Sequence, residues 1–103
     1  MTKDTKYNLS VKVEWSVHTD WLKWMNQDYL PTIKTLEYFD DVKLYKLHDV
    51  DVTDGVMYVV QHSVKSTLHY KKYLKAEGNN FNKTMQLKWG NAILKFESLM
   101  QEL

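Results

Sequence analysis

The chain has 103 residues, no cysteine and a net charge of +1, because fourteen basic residues stand against thirteen acidic ones. This length predicts a single domain over residues 1–103, and the balanced charge argues against a nucleic-acid partner. Without cysteine there is no disulfide, thiol nucleophile or thiolate metal ligand. The polar N-terminus and the lack of a long apolar run predict no signal peptide and no membrane partner, so we expect a cytoplasmic protein.

The first predicted element is a strand from Tyr7 to Trp15, where apolar and polar residues alternate strictly. One face of this strand is apolar, and the opposite face carries polar side chains that include Lys12 and Glu14.

A helix is predicted next, capped by Ser16 or Thr19 and apolar along one face. Pro31 falls inside this helical pattern. Because proline lacks a backbone donor and clashes with the preceding turn, the helix should kink near Gln27–Leu30 or restart there.

Two strands joined by a turn-rich stretch follow, one within Tyr38–Val50 and the other over Val56–Val64. The dipeptide Asp54-Gly55 is a strong turn signal, so the pair is predicted to form a hairpin. The second strand is apolar on both faces, which is typical of a strand buried on both sides. These faces carry Val56, Tyr58 and Val60 on one side and Met57 and Val59 on the other.

The C-terminal part is predicted to contain two helices and a strand. Ser66 caps the first of these helices, which Gly78 ends. A short third helix stops at Gly90, and the alternation over Ala92–Met100 predicts the last strand.

The order of these elements predicts an α+β fold of the ferredoxin-like βαββαβ type with a four-stranded antiparallel sheet. The first and third strands would be central neighbours. The helices can cover only one face of the sheet, so the apolar residues on the other face need a second subunit to bury them. Burying apolar surface is worth roughly 25 cal/mol per Å². We therefore expect a homodimer whose sheets face each other. The interface candidates are Lys12, Glu14, Met57, Val59, Lys95 and Glu97.

Charges on the first and last strands suggest how such an interface would keep its register. If these strands are antiparallel neighbours, Lys12 can lie near Glu97 and Glu14 near Lys95. Opposite charges across a strand pair contribute roughly 0.2 to 1 kcal/mol each. The alternative is that all four charges are solvated.

Several segments are shared with a known family. They are Tyr7-Asn8-Leu9-Ser10-Val11-Lys12-Val13, His18 with Trp21-Leu22-Lys23-Trp24-Met25, Leu30-Pro31, Tyr58-Val59-Val60-Gln61, Tyr73-Leu74 and Phe96. On these residues the chain resembles a family of small uncharacterised bacterial proteins in the dimeric α/β-barrel superfamily. A histidine usual in that family, just before the Leu/Ile-Pro pair, is replaced by Tyr29. The resemblance implies a ferredoxin-like fold, a dimeric α/β barrel formed sheet to sheet, and no assigned activity.

A small apolar or aromatic molecule is the predicted ligand. Trp24 lies at the edge of the apolar helix face, where it could line a cleft, and Gln61 is polar in an otherwise apolar strand. The four histidines show none of the usual metal-binding spacings, so no metal or cofactor is predicted. The candidates for ligand binding are His18, Trp24, Tyr29, Tyr58, Gln61 and His62.

The resemblance leaves an enzymatic alternative, because the same superfamily includes cofactor-independent monooxygenases and haem-degrading enzymes. Asn8 and His69 could fill two of the three positions of the haem pattern, but the third strand has no tryptophan and the alternation turns Asn8 away from the helices. A third hypothesis is a pure interaction module. A cavity of ~300 Å³ or more around Trp24, Tyr29, Tyr58 and His62 would favour ligand binding, and a filled space would favour a scaffold.

Overall fold

A computed structural model describes residues 4–103, with side chains for all of these except 77–79. Its strands are β1 (Thr5–Glu14), β2 (Phe39–Lys46), β3 (Gly55–Val64) and β4 (Ile93–Gln101). They form one sheet in the order β2-β3-β1-β4, in which all neighbours are antiparallel. The predicted α+β class, antiparallel sheet and central first and third strands are confirmed, and the order is compatible with a ferredoxin-like fold.

The helices are α1 (His18–Trp24), α2 (Leu30–Thr35), α3 (Thr67–Tyr73) and α4 (Asn79–Trp89). A π-helical turn over Met25–Tyr29 joins α1 to α2, and a second one over Leu74–Gly78 joins α3 to α4. The predicted third helix is present and begins at Asn79, but the chain reaches it through a π turn and not through a break at Gly78.

Pro31 explains the first π turn. Because it has no N–H and its ring crowds the carbonyl four residues earlier, regular α-helical bonding cannot pass through it. The wider π turn over Met25–Tyr29 accommodates the missing hydrogen bond and the crowded carbonyl. Helix α2 then begins at Leu30 with proline in its first turn. The predicted irregularity near Gln27–Leu30 is confirmed.

Strand β1 lies at the centre of the core. Its alternate residues from Thr5 to Val13 are buried, and Val11 and Val13 are fully so. The helices cover this face with Trp21, Met25 and other large side chains. Three further helix side chains are also fully buried, namely Ile33, Tyr73 and Met85.

Two local features fix the ends of these elements. The Ser66 hydroxyl accepts a hydrogen bond from the His69 backbone N–H at 3.2 Å, which confirms the predicted cap of α3. Strand β1 ends one residue earlier than predicted, and Trp15 begins a 3₁₀ turn. Its indole Nε1 donates to the Val52 carbonyl at 2.7 Å and holds the β2–β3 loop against the end of β1.

Candidate functional site

The face of the sheet turned away from the helices, here called the open face, carries large apolar side chains. Strand β4 presents Leu94, Phe96 and Met100 on it, with 57%, 61% and 45% of their surfaces exposed. Tyr45 on β2 is 45% exposed. Apolar side chains this exposed on the two edge strands of one face are of the kind that marks interaction surfaces. One row across the sheet consists of Tyr45, Val59, Ser10 and Phe96.

A polar row lies beside this apolar one. Asn8 and Gln61 are opposite each other on the two central strands, and both are half-buried. The Asn8 Oδ1 atom is buried and has no hydrogen-bond partner within residues 4–103, while its amide nitrogen lies 3.8 Å from the sulfur of Met100. This oxygen is covered by the protomer itself, so the exposed part of the polar row is formed by the rest of the Asn8 side chain and by Gln61.

The prediction that Lys95 and Glu97 share the open face is wrong. Lys95 lies opposite Val11 and Glu97 opposite Leu9, so both charges are on the helix-facing side of β4. Lys12 is instead opposite Leu94, and the predicted pairs between Lys12 and Glu97 and between Glu14 and Lys95 do not form. The cause is that β4 has apolar residues on both faces, and the register is set by Ile93, which packs in the core beside Val13.

On the other side of the sheet, tyrosine rings surround a buried histidine. His62 stacks on Tyr7 at 4.6 Å between ring centroids, and the Tyr29 hydroxyl lies 3.1 Å from His62 Nε2. Tyr7 contacts Tyr70 at 5.1 Å and Tyr73 at 6.2 Å. We call this set, composed of Tyr7, Tyr29, His62, Tyr70 and Tyr73, the phenol cluster.

The hydrogen bonds of His62 define its protonation. Nδ1 lies 2.9 Å from the Tyr7 carbonyl oxygen. Because a carbonyl can only accept, Nδ1 carries the proton, and Nε2 accepts from the Tyr29 hydroxyl. Burial lowers the pKa of His62 from 6.5 to about 4, against the opposing effect of its bonds to backbone carbonyls. The imidazole is therefore neutral at physiological pH, with both nitrogens already engaged.

Tyr7 and Tyr29 are also neutral. Burial raises the pKa of Tyr7, and the nearby carboxylate of Glu97 raises it further. Burial likewise raises the pKa of Tyr29. A phenolate or an imidazolium is thus disfavoured at neutral pH, and the cluster as it stands offers hydrogen bonds and ring surfaces, not a ready base.

A second histidine–tyrosine pair lies where β1 passes into α1. His18 Nε2 is 2.7 Å from the Tyr58 hydroxyl, and the two rings are nearly parallel at 5.7 Å. Trp15 meets His18 edge-on at 5.4 Å, and Trp21 lies against Tyr58 at 5.1 Å. The pair is held in place by aromatic contacts on both sides.

Trp24 lines a surface cleft of about 360 Å³ between α1 with its π turn and the end of α4. Its ring meets that of Trp89 edge-on at 6.1 Å. The Trp89 Nε1 donor is buried without a hydrogen-bond partner in the described part of the chain, and Lys88 Nζ lies 5.5 Å from the ring centroid. The remaining lining residues are Asp20, Lys23, Gln27 and Asp28.

The six ligand candidates do not surround one common space. Trp24 packs on Tyr29 at 5.8 Å, and Tyr29 bonds to His62, so aromatic contacts occupy the space between them. His18 and Tyr58 form the separate pair. Gln61 faces the other side of the sheet, as the alternation predicted. The cluster members Tyr70 and Tyr73 lie on α3, which places both against Tyr7.

The residues of the haem pattern lie apart. Asn8 is on the open face, as its alternation predicted, whereas His69 is on α3, with Nδ1 2.8 Å from the Ser66 hydroxyl. Across the described side chains, no three of the His, Asp or Glu type come close enough to hold a metal ion.

Fold and surfaces together define a class of protein: a four-stranded antiparallel sheet with helices on one face and apolar side chains exposed on the other. A family model described as "Domain of unknown function (DUF4286)" matches residues 5–103, and the chain belongs to that family. No curated protein matches the chain. Within residues 4–103, no helix is long and apolar enough to cross a membrane. The predicted membership of a family without assigned activity is confirmed, whereas its bacterial origin and its place in the dimeric α/β-barrel superfamily stay predictions.

Proposed function

We propose that the protein works as a homodimer in which the open faces of two copies pack against each other. The observation that carries this proposal is the exposure of Phe96, Leu94 and Met100 on one strand, flanked by Tyr45 at the opposite edge of the sheet. Exposed apolar surface of this extent is costly in water and favours a partner of the same character. A second copy supplies an identical surface.

The size of the open face fits this partner. Strands of about nine residues at about 3.3 Å per residue, four of them about 4.8 Å apart, give a face of roughly 600 Å². Two such faces would bury roughly 1,200 Å², which reaches the lower range of specific protein interfaces. The polar row adds specificity, because the half-buried Gln61 amide on this face would need a hydrogen-bond partner in the second copy.

Two of the lysines on the open face already have partners within the protomer. Lys6 donates to the Ser63 hydroxyl at 2.8 Å, and Lys43 lies 3.5 Å from Asp41. Lys12 and Glu14 stay interface candidates together with Met57 and Val59, since all four belong to this face. Lys95 and Glu97 are removed from the interface, since they face the helices.

Sedimentation equilibrium tests the dimer. Wild-type protein is expected to sediment with twice the protomer mass at micromolar concentration, and Phe96→Asp is expected to give a folded monomer, because it places a charge in the middle of the interface. Leu87→Asp is the matched control, since Leu87 is 88% exposed on α4 and faces away from the sheet. A monomeric wild type, or a dimer that Phe96→Asp leaves intact, would contradict the proposal.

A second candidate function is the binding of a small aromatic molecule in the cleft between Trp24 and Trp89. Its volume of about 360 Å³ lies within the range of ligand pockets. Two indole rings offer stacking surface to an aromatic ligand.

Fluorescence of 1-anilinonaphthalene-8-sulfonate, used as an aromatic probe, tests this cleft. Binding is expected to be lost in Trp24→Leu and kept in Trp15→Leu, which removes an exposed indole elsewhere on the surface. Equal probe binding by the two variants, or none by the wild type, would argue against the cleft.

The monooxygenase-like alternative has less support. The haem variant requires Asn8 and His69 to face one cavity, yet they lie on the open face and on α3. The cofactor-independent variant requires a poised base. The free lone pair of His62, on Nε2, is occupied by the Tyr29 hydroxyl, and burial lowers the pKa of His62, which makes it a weak base.

A further inference from the structure

A groove of about 650 Å³ lies along α3 and the π turn that follows it. It is lined by Leu68, Lys71, Lys72, Leu74 and Lys75. The spacing of three and four residues places Lys71 and Lys72 on the same side of the helix as Leu68. Leu68 is 58% exposed, and Leu74 is half-buried. We call this feature the α3 groove.

The positive charge of the chain is concentrated around the α3 groove. Residues 65–77 contain four lysines and one carboxylate, whereas the rest of the chain has ten basic residues against twelve acidic ones. The ion pairs of the described side chains are Lys6–Asp4 and Lys43–Asp41, so none of the three groove lysines is paired with a described carboxylate. The groove therefore attracts anions, in a chain that is otherwise slightly acidic.

The helix dipole accounts for only part of this arrangement. Lys71 and Lys72 are in the last turn of α3, where cations interact favourably with the helix end without any ligand. The dipole does not explain why Leu68, in the first turn, is left 58% exposed beside them. Apolar surface under a cationic rim is complementary to a molecule that is both apolar and negatively charged.

The backbone at the groove is also irregular. Leu74 and Lys75, which line it, are the first two residues of the π turn over Leu74–Gly78. The only proline of the chain is Pro31, which explains the other π turn and not this one. Because π turns within helices are rare and occur frequently at functional sites, this irregularity supports a binding role for the groove.

We propose that the α3 groove binds a single-chain amphiphilic anion, an alkyl chain that ends in a carboxylate. Leu68, Leu74 and the methylene stems of the lysines contact the chain, and the lysine ammonium groups bind the carboxylate. The volume of about 650 Å³ lies within the range of ligand pockets.

This site is independent of the proposed dimer. Helix α3 lies on the helical side of the sheet, opposite the open face that carries Phe96 and Leu94. The variant Phe96→Asp should therefore bind the anion as the wild type does. A dimer without anion binding would reject the groove alone, and anion binding without a dimer would reject the open-face proposal alone.

The experiment titrates decanoate, its neutral analogue decan-1-ol, and acetate into the full chain and follows the methyl signals of Leu68 and Leu74 by NMR. Decanoate is expected to shift both, with an affinity at least about fivefold above that of decan-1-ol, and acetate is expected to shift neither. Equal affinity for decanoate and decan-1-ol would overturn the proposal. So would decanoate shifts confined to Leu94 of the open face, or none at millimolar concentration.

Variants connect binding to the lysines. Lys71→Gln combined with Lys75→Gln is expected to lower decanoate affinity at least about fivefold and to leave decan-1-ol affinity unchanged. The matched control is Lys34→Gln combined with Lys83→Gln, which removes two exposed lysines from α2 and α4. Far-UV circular dichroism verifies that the variants are folded. Unchanged decanoate binding in the folded groove variant would exclude these lysines as the anion site.

The apolar half of the site is tested in the same way. Leu68→Gln should weaken the binding of decanoate and decan-1-ol alike, whereas Leu87→Gln, at an exposed leucine of α4, should change neither. Equal effects of the two substitutions would contradict the proposed contact with the chain.

An anionic membrane surface is the competing partner, and cosedimentation with phosphatidylglycerol vesicles distinguishes it. We expect the chain to stay in the supernatant and to bind dissolved decanoate. Vesicle binding that depends on Lys71 and Lys75, without binding of dissolved decanoate, would overturn the proposal in favour of a membrane contact.

Discussion

At the scale of single residues, the buried pair of His62 and Tyr29 is the most constrained polar feature of the core. His62 is completely buried, and each of its ring nitrogens has a partner. Burying an imidazole is tolerable when both nitrogens are bonded and the ring is uncharged. The pair therefore links β1, β3 and the first π turn through one side chain.

The protonation of His62 leads to a pH prediction. Its pKa is about 4 in the folded protein and 6.5 in the unfolded chain, so below pH 6.5 the unfolded chain binds a proton that the folded protein does not. Stability should be fully present above pH 6.5 and fall by about 3 kcal/mol as the pH drops to about 4. NMR titration should find the His62 ring neutral, with its proton on Nδ1, down to about pH 4. A titration midpoint near 6.5 would contradict this.

The hydroxyl of Tyr29 provides a second prediction. Tyr29→Phe removes the donor to His62 Nε2 and leaves a buried acceptor unpaired, so the free energy of unfolding should fall by about 1–2 kcal/mol. Urea denaturation at pH 7 measures this. Tyr38→Phe is the control, because the half-buried Tyr38 packs its ring against Tyr73 without a hydroxyl hydrogen bond to the described residues. Equal losses in the two variants would assign the effect to packing.

At the scale of elements, the features predicted most securely are those set by backbone chemistry. Pro31 interrupts helical bonding wherever it stands, and a π turn forms before it. The Ser66 cap follows from side-chain chemistry in the same way. Which side of β4 faces the helices could not be predicted from the sequence. Both sides carry apolar residues, Leu94 and Phe96 on one and Ile93 and Leu99 on the other.

A substitution at Gly55 tests how closely the backbones of β1 and β3 approach each other. A Cβ at this position would collide with the Val13 carbonyl, whose carbon would lie 2.9 Å away. Gly55→Ala should therefore force the two central strands apart and lower the free energy of unfolding by at least about 2 kcal/mol.

Gly90 supplies the control for this substitution. It has a positive φ of 55° and open space around its Cα, so Gly90→Ala should cost about 1 kcal/mol of backbone strain without a clash. Thermal unfolding of the two variants compares these costs. A smaller loss for Gly55→Ala than for Gly90→Ala would show that the strands adjust easily.

At the scale of the whole molecule, the sequence predicts the fold better than the site. Strand periods and turn signals lead to the antiparallel sheet with β1 and β3 at its centre. The site depends on which distant side chains come into contact, such as Trp24 with Trp89 or Tyr29 with His62. Such contacts depend on the register between strands and on how the helices pack on the sheet, and a single sequence constrains both only weakly.

The central claim is that the open face is covered by a second copy of the chain. An isotope-filtered NOE experiment on a mixture of ¹³C-labelled and unlabelled protein tests it most directly. We predict intermolecular contacts from the methyl groups of Met57, Leu94 and Met100 to the rings of Phe96 or Tyr45, and none from the methyl groups of Leu87. Intermolecular contacts absent from the open face, or confined to the helices, would contradict the claim.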